Sequence, residues 1–78
     1  MEENLLDRIG FNDEVLSGKP IIRNKRISVE TILEFLSAGE THEEILHQFP
    51  SLEEKDILAC LQYAVKLIKQ NISIKNVA

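Results

Sequence analysis

From Ser28 to Asn71 the apolar positions return at spacings of three and four. Val29, Ile32, Leu33 and Leu36 fall on one helical face, which predicts a first helix from about Val29 to Ala38 with Ser28 as its N-cap. Ile27 and Ile32 bracket that cap as a hydrophobic staple, and Gly39 offers the positive-φ residue at which a helix closes. Thr41 followed by Glu44 is a capping box, so a second helix should begin at His42. It must be short, because Pro50 forces Phe49 out of the helical region and withholds an amide hydrogen. Ser51 and Glu54 repeat the capping pattern and open a third helix with no Gly or Pro before Asn71. Short connections force consecutive helices to pack on one another, and the result is a tri-helical unit of the helix-turn-helix kind.

The third helix is apolar around much of its circumference. Ile57, Leu61, Ala64 and Ile68 make one stripe, widened by Leu58 and Val65, while Cys60, Tyr63 and Leu67 make a second. Only Lys55, Gln62, Lys66 and Lys69 remain as a polar face. The first stripe is expected to pack on the other two helices. Cys60, Tyr63 and Leu67 are then the candidate surface for a symmetry mate or another protein, unless the N-terminal element covers them. Beyond Asn71 the run to Ala78 alternates apolar and polar residues, the period of a strand or of an edge added to a partner's sheet.

The N-terminal third is less regular. Leu6 to Phe11 reads as a short strand, because an apolar run of that length is too short for a self-supporting helix. Ser17-Gly18-Lys19-Pro20 punctuates the chain. Ile21-Ile22 and Ile27-Ser28-Val29 then flank Arg23-Asn24-Lys25-Arg26, with Asn24 a good turn residue, as in a small hairpin or a looped arm.

Charge sharpens this picture. The net charge is -4, yet residues 1 to 18 carry five acids and one base, while Lys19, Arg23, Lys25 and Arg26 supply four bases and no acid. Residues 27 to 56 carry eight acids against Lys55 alone, and the remainder has only Lys66, Lys69 and Lys75. A basic segment on an acidic body is a candidate phosphate contact, although a solvated turn would expose the same residues. The 78 residues allow one domain with a thin core: arm 5–27, tri-helical core 28–71 and tail 72–78. An apolar fraction of 44% is more than such an interior easily hides, which favours self-association. One cysteine excludes an internal disulfide, and neither an export signal nor a membrane-length apolar run is present, so a cytoplasmic location without membrane contact is expected.

Catalytic constellations are weak. His42 and His47 do not share a helical face, Cys60 lies among apolar residues, and Ser17-Gly18-Lys19 lacks the spacing of a phosphate loop. No enzyme activity, cofactor or metal is expected.

From Ile9 to Tyr63 the chain resembles the DUF433 family of small bacterial and archaeal proteins, whose members are regarded as antitoxin-like. The resemblance lies in Val15-Leu16-Ser17-Gly18-Lys19-Pro20-Ile21-Ile22-Arg23, a basic residue before Ile27, Ala38-Gly39, Glu44-Ile45, Phe49-Pro50, and Leu52 to Tyr63 with Asp56-Ile57 inside it. It implies a mainly α, winged-helix-like domain with a small N-terminal β element, usually dimeric. It also implies, for some relatives, a toxin partner with a PIN-like nuclease fold and binding to their own operator DNA. Lys19, Pro20, Ile22, Arg23, Arg26 and Ile27 match the family's arm. Asn24 and Lys25 depart from it, where Gly and Thr are usual.

Both candidate reading helices begin with acids, Glu43-Glu44 and Glu53-Glu54, which repel phosphates. DNA binding is therefore expected to depend on the arm, with Arg23 and Arg26 on bases or in the minor groove and Lys19 and Lys25 on phosphates, presented twice by a homodimer. The competing expectation is a protein-interaction module or dimeric adaptor without DNA affinity.

Overall fold

The computed structural model describes residues 3–75, with side chains to Asn71. In order, the chain forms a 3-10 turn (Leu5–Arg8), strand β1 (Ile9–Gly10), a second tight turn (Leu16–Gly18), strand β2 (Ile21–Ile22), and helices α1 (Val29–Ser37), α2 (His42–Gln48) and α3 (Glu54–Lys75). The architecture is mainly α and tri-helical, of the helix-turn-helix, winged-helix-like kind, with a two-stranded antiparallel element at its start.

The local signals in the middle of the chain set the helix ends. The Ser28 hydroxyl accepts from the Thr31 amide at 3.1 Å, and Ile27 and Ile32 belong to the same apolar cluster, as a staple requires. α1 closes through Gly39 at φ 95°: the Gly39 amide donates to Leu36 at 3.0 Å and the Glu40 amide to Phe35 at 3.1 Å, a complete Schellman closure. Thr41 and Glu44 form the full capping box of α2, and Phe49 leaves the helix at φ -122°, ψ 75° before Pro50.

Three expectations change. The apolar run Leu6–Phe11 is a strand only at Ile9–Gly10; Asn4 caps a 3-10 turn over its first part, accepting from the Leu6 amide. α3 begins at Glu54, so Ser51 is not its cap. Leu52 turns into the core, and Asp56, three residues past Glu53, reaches back to the Glu53 amide at 2.7 Å. The alternating tail does not form a strand within the described residues: the α3 backbone continues through Lys75, and residues 76–78 lie outside them.

The core consists of Ile22, Val29, Ile32, Ile45, Leu52, Ile57 and Cys60, closed at the side by Phe35 and Phe49, whose rings stand 5.7 Å apart. Cys60 is therefore interior rather than an interface residue. The helix turns by about 100° per residue, so placing Cys60 inward moves Leu58, Leu61, Val65 and Ile68 outward. They are 37%, 38%, 50% and 56% exposed, so the first stripe is buried only at Ile57, while in the second Cys60 is buried and Leu67 is exposed.

Gly39→Ala should destabilise the protein by about 1 kcal/mol in urea unfolding, through backbone conformation alone. An added Cβ meets no atom within 4 Å, so a cost well above that value would contradict this account.

Candidate functional site

The arm is a tight turn. Ile9 pairs with Ile22 and Gly10 with Ile21, and the Arg23 amide continues the ladder to the Arg8 carbonyl at 2.7 Å. Arg23 and Asn24 take φ values of 46° and 58°, and the Lys25 amide donates to the Ile22 carbonyl at 2.8 Å, the geometry of a type I′ turn. Asn24 tolerates this left-handed conformation, so the turn forms without the usual glycine. The chain returns to the α1 cap through an Ile21–Ser28 bridge.

That pairing sets two arginines side by side at the end of the ladder, facing the start of α3. Asp56 lies between them with no exposed surface. Its Oδ1 accepts from Arg8 at 2.9 Å and from the Arg23 Nε at 2.8 Å; its Oδ2 accepts from the second Arg23 nitrogen and from the Glu53 amide, both at 2.7 Å. These four donors occupy the lone-pair sites of an ionised carboxylate. Arg8 also donates to Glu53 at 2.9 Å and to Glu3 at 2.6 Å, and Lys55 approaches Glu3 at 3.5 Å. Arg23 donates once more, to the Ser51 carbonyl at 3.0 Å.

Burial pushes the Asp56 carboxyl up, but the Arg23 hydrogen bonds, the Glu53 amide and Arg8 outweigh it and bring it down to about 2. Arg8 is raised, first by its bonds to Glu3 and then by Asp56 and Glu53; Arg23 is raised by Asp56.

Arg23 is thus tied to the buried Asp56, in the manner of a clasp, with its side chain 32% exposed and its guanidinium engaged by the fold. The other arm residues point elsewhere. Lys19 is 3.5 Å from Glu30 across the surface, a weak contact between exposed groups. Arg26 is exposed and Lys25 half-buried, and neither is ion-paired among the described residues.

Of the second predicted set, Tyr63 is half-buried against the core and meets Phe11 at 6.4 Å, so the N-terminal segment does cover part of that stripe. Leu67 is 42% exposed. With Pro20, Val29, Leu33, Ala64 and Ile68, these two line an open groove of about 610 Å³ between α1 and α3, edged by Glu30 and Glu34. Burial, and then the Asp56 charge, push the Cys60 thiol up to about 12, which leaves it protonated and enclosed near neutral pH. His42 bonds to Glu54 at 2.5 Å, and His47 borders a shallow hollow with Glu40, Glu43 and Glu44. No group of three or more potential metal-ligating side chains gathers among the described residues, and no described helix is long and apolar enough to cross a membrane.

Neither Arg8 nor Asp56 was singled out by sequence reasoning as a partner of the arm. A lone base among five acids, and an acid in the first turn of a helix, both have simple surface explanations.

Residues 9–64 match the family described as a protein of unknown function, DUF433. The fold is similar to the crystal structure of a DUF433 member from Anabaena variabilis, with a TM-score of 0.74 and 27% identity over 90% of this chain and 80% of that one. No curated protein matches the chain.

Asp56→Asn should cost about 3–5 kcal/mol in urea unfolding, because it leaves two arginines short of a buried counter-charge. The wild type should also weaken in acid. A carboxyl held at about 2, against an ordinary 3.8, stabilises the fold fully above pH 3.8 and loses that contribution as the pH falls through 2. The loss should amount to about 2 kcal/mol and be missing from the Asn variant.

Proposed function

The chain belongs to the DUF433 family, and we propose that it is a small regulator of the antitoxin-like kind that acts chiefly by holding another protein on α3. The groove between α1 and α3 is the surface in question: an apolar floor of Leu33, Tyr63, Leu67 and Ile68 beneath an acidic rim of Glu30 and Glu34. The observation that carries this reading is that every residue from Val65 to Asn71 is exposed, Val65, Leu67 and Ile68 among them, so α3 runs past the body that supports its start. Exposed apolar surface concentrated on one element is characteristic of an interaction site. The rim favours a partner that inserts apolar anchors flanked by Lys or Arg, and a nuclease-like toxin with a PIN-like fold is the partner proposed.

The test is calorimetric titration of the chain with a nuclease-like protein encoded beside it. Leu67→Glu should weaken binding by about tenfold or more, since it places a carboxylate on the groove floor. Absence of binding by the wild type, or unchanged affinity in the variant, would remove the groove from the mechanism.

A second reading, contact with operator DNA, is favoured by the outward cations of the arm. Lys19, Lys25 and Arg26 remain for phosphate contact once Arg23 is assigned to the fold, and a rigid turn presents two of them. A two-fold pair offering all three cations twice should show a log–log salt slope of about -5 on its promoter, falling to about -2 for the Lys25→Ala/Arg26→Ala double variant. Equal slopes for both proteins would exclude the arm as the DNA contact.

A further inference from the structure

The groove between α1 and α3 selects the backbone form of its occupant as well as its charge. We infer that it receives an amphipathic helix of the partner, apolar on the buried face and carrying Lys or Arg one turn apart on the flank that meets α1. This inference rests on the proposed function and adds to it the kind of segment that the groove holds.

The surrounding backbone disfavours an extended occupant. The walls are helices, whose backbone groups pair along their own axes. β2, which follows the groove residue Pro20 in the chain, is flanked on both sides: Ile21 and Ile22 pair with β1, Ile21 also bridges to Ser28, and the Ile22 amide donates to the Ile27 carbonyl at 3.1 Å. Pro20 itself has no amide, and its carbonyl accepts from the Val29 amide at 3.0 Å. A strand laid in the groove would leave its amides and carbonyls unmet against an apolar floor. A helix satisfies its own.

The lining repeats at the interval that a third helix needs. Val29, Leu33 and Ser37 follow one another every four residues on α1, as do Tyr63 with Leu67 and Ala64 with Ile68 on α3. Such rows are the ridges between which the four-residue rows of another helix interdigitate. Ala64 is the smallest side chain of the floor and has larger ones beside it, so one large apolar residue of the visitor seats over it. Val29 to Ser37 spans about 12 Å, and a visitor of about three turns fills that length.

Charge fixes which flank is basic. Glu30 and Glu34 are both exposed and lie one turn apart, about 6 Å along α1, so they match cations at i and i+4 of the visitor. The Lys19 ammonium stands 3.5 Å from Glu30, with both side chains more than half exposed, and a visiting cation readily replaces it there.

Fluorescence anisotropy of labelled peptides of about 14 residues with the full chain tests the inference. The first peptide is a helix former with Leu at intervals of three and four and Lys on the flanks. The second holds the same residues reordered to alternate apolar and polar, and the third has Glu for every Lys. The first should bind at least about tenfold tighter than either of the others and gain helicity by circular dichroism. Glu30→Gln/Glu34→Gln should weaken the first peptide by about tenfold, whereas Glu14→Gln/Glu43→Gln, which removes two exposed acids outside the groove, should leave its affinity unchanged. Tightest binding by the alternating peptide, equal binding by the acidic one, equal effects of the two double variants, or no binding by any peptide would overturn the helical occupant. If that happens while the neighbouring nuclease-like protein binds in a Leu67-dependent manner, the groove stands and only this inference falls. If the basic helix binds as expected and that protein does not, the inference stands and the choice of partner falls.

Discussion

A single buried carboxylate ties the N-terminal turn and the hairpin to the start of α3. Asp56 receives Arg8 from the N-terminal turn, Arg23 from the hairpin and the amide of Glu53 from the start of its own helix. Burying one carboxylate costs several kcal/mol unless its lone pairs are met, and here four donors meet them. Glu3, Glu53 and Lys55 extend the cluster so that three carboxylates face three cations, and no net charge is left in it. The same contact explains why Arg23 occupies a left-handed conformation that an arginine ordinarily avoids: the turn aims its guanidinium at Asp56, and two short hydrogen bonds offset the backbone cost.

This clasp changes the meaning of the charge pattern. Blocks of opposite sign along a chain suggest a basic patch displayed on an acidic body. In the folded molecule the blocks partly meet, since a base of the arm and the lone base of the N-terminal segment neutralise acids at the start of α3. What remains outward is smaller: Lys19, Lys25 and Arg26 near the turn, and Lys66 and Lys69 on α3. The first turn of α3, which a helix-turn-helix reader would point into a groove of DNA, is occupied by the clasp and is acidic where it is exposed.

How much of this was legible depended on whether the deciding interaction was local. Ser28, Gly39, the Thr41–Glu44 box and Pro50 act within a few residues of themselves, so they marked α1 and α2 correctly. Ser51 and Glu54 offered an equally good local pattern, yet the helix starts later because Leu52 is drawn into the core and Asp56 serves both as cap and as counter-ion. The division of α3 into faces was not legible for a related reason. A helix apolar around most of its circumference gives no internal sign of which stripe turns inward. Here the burial of Asp56 fixes the rotation and carries Ile57 and Cys60 with it. A signal did exist in the sequence: Asp56 falls on the same helical face as Cys60 and Tyr63, and Arg8 and Arg23 adjoin the segments that become β1 and β2.

The clasp and the exposed surface of α3 are linked by the geometry of a rigid rod. α3 is a continuous helix without Gly or Pro, so whatever fixes its first turn also fixes the direction of its last ones. Asp56 fixes the first turn against the hairpin, and the hairpin carries the cations of the arm. The separation between arm and α3 surface is therefore set by this buried contact together with the packing of Ile57 and Cys60 in the core. A partner held on α3 and a phosphate held by the arm would meet a frame whose dimensions do not depend on either of them. Loss of the Asp56 charge would disturb both surfaces together, because it is the shared reference from which each takes its position.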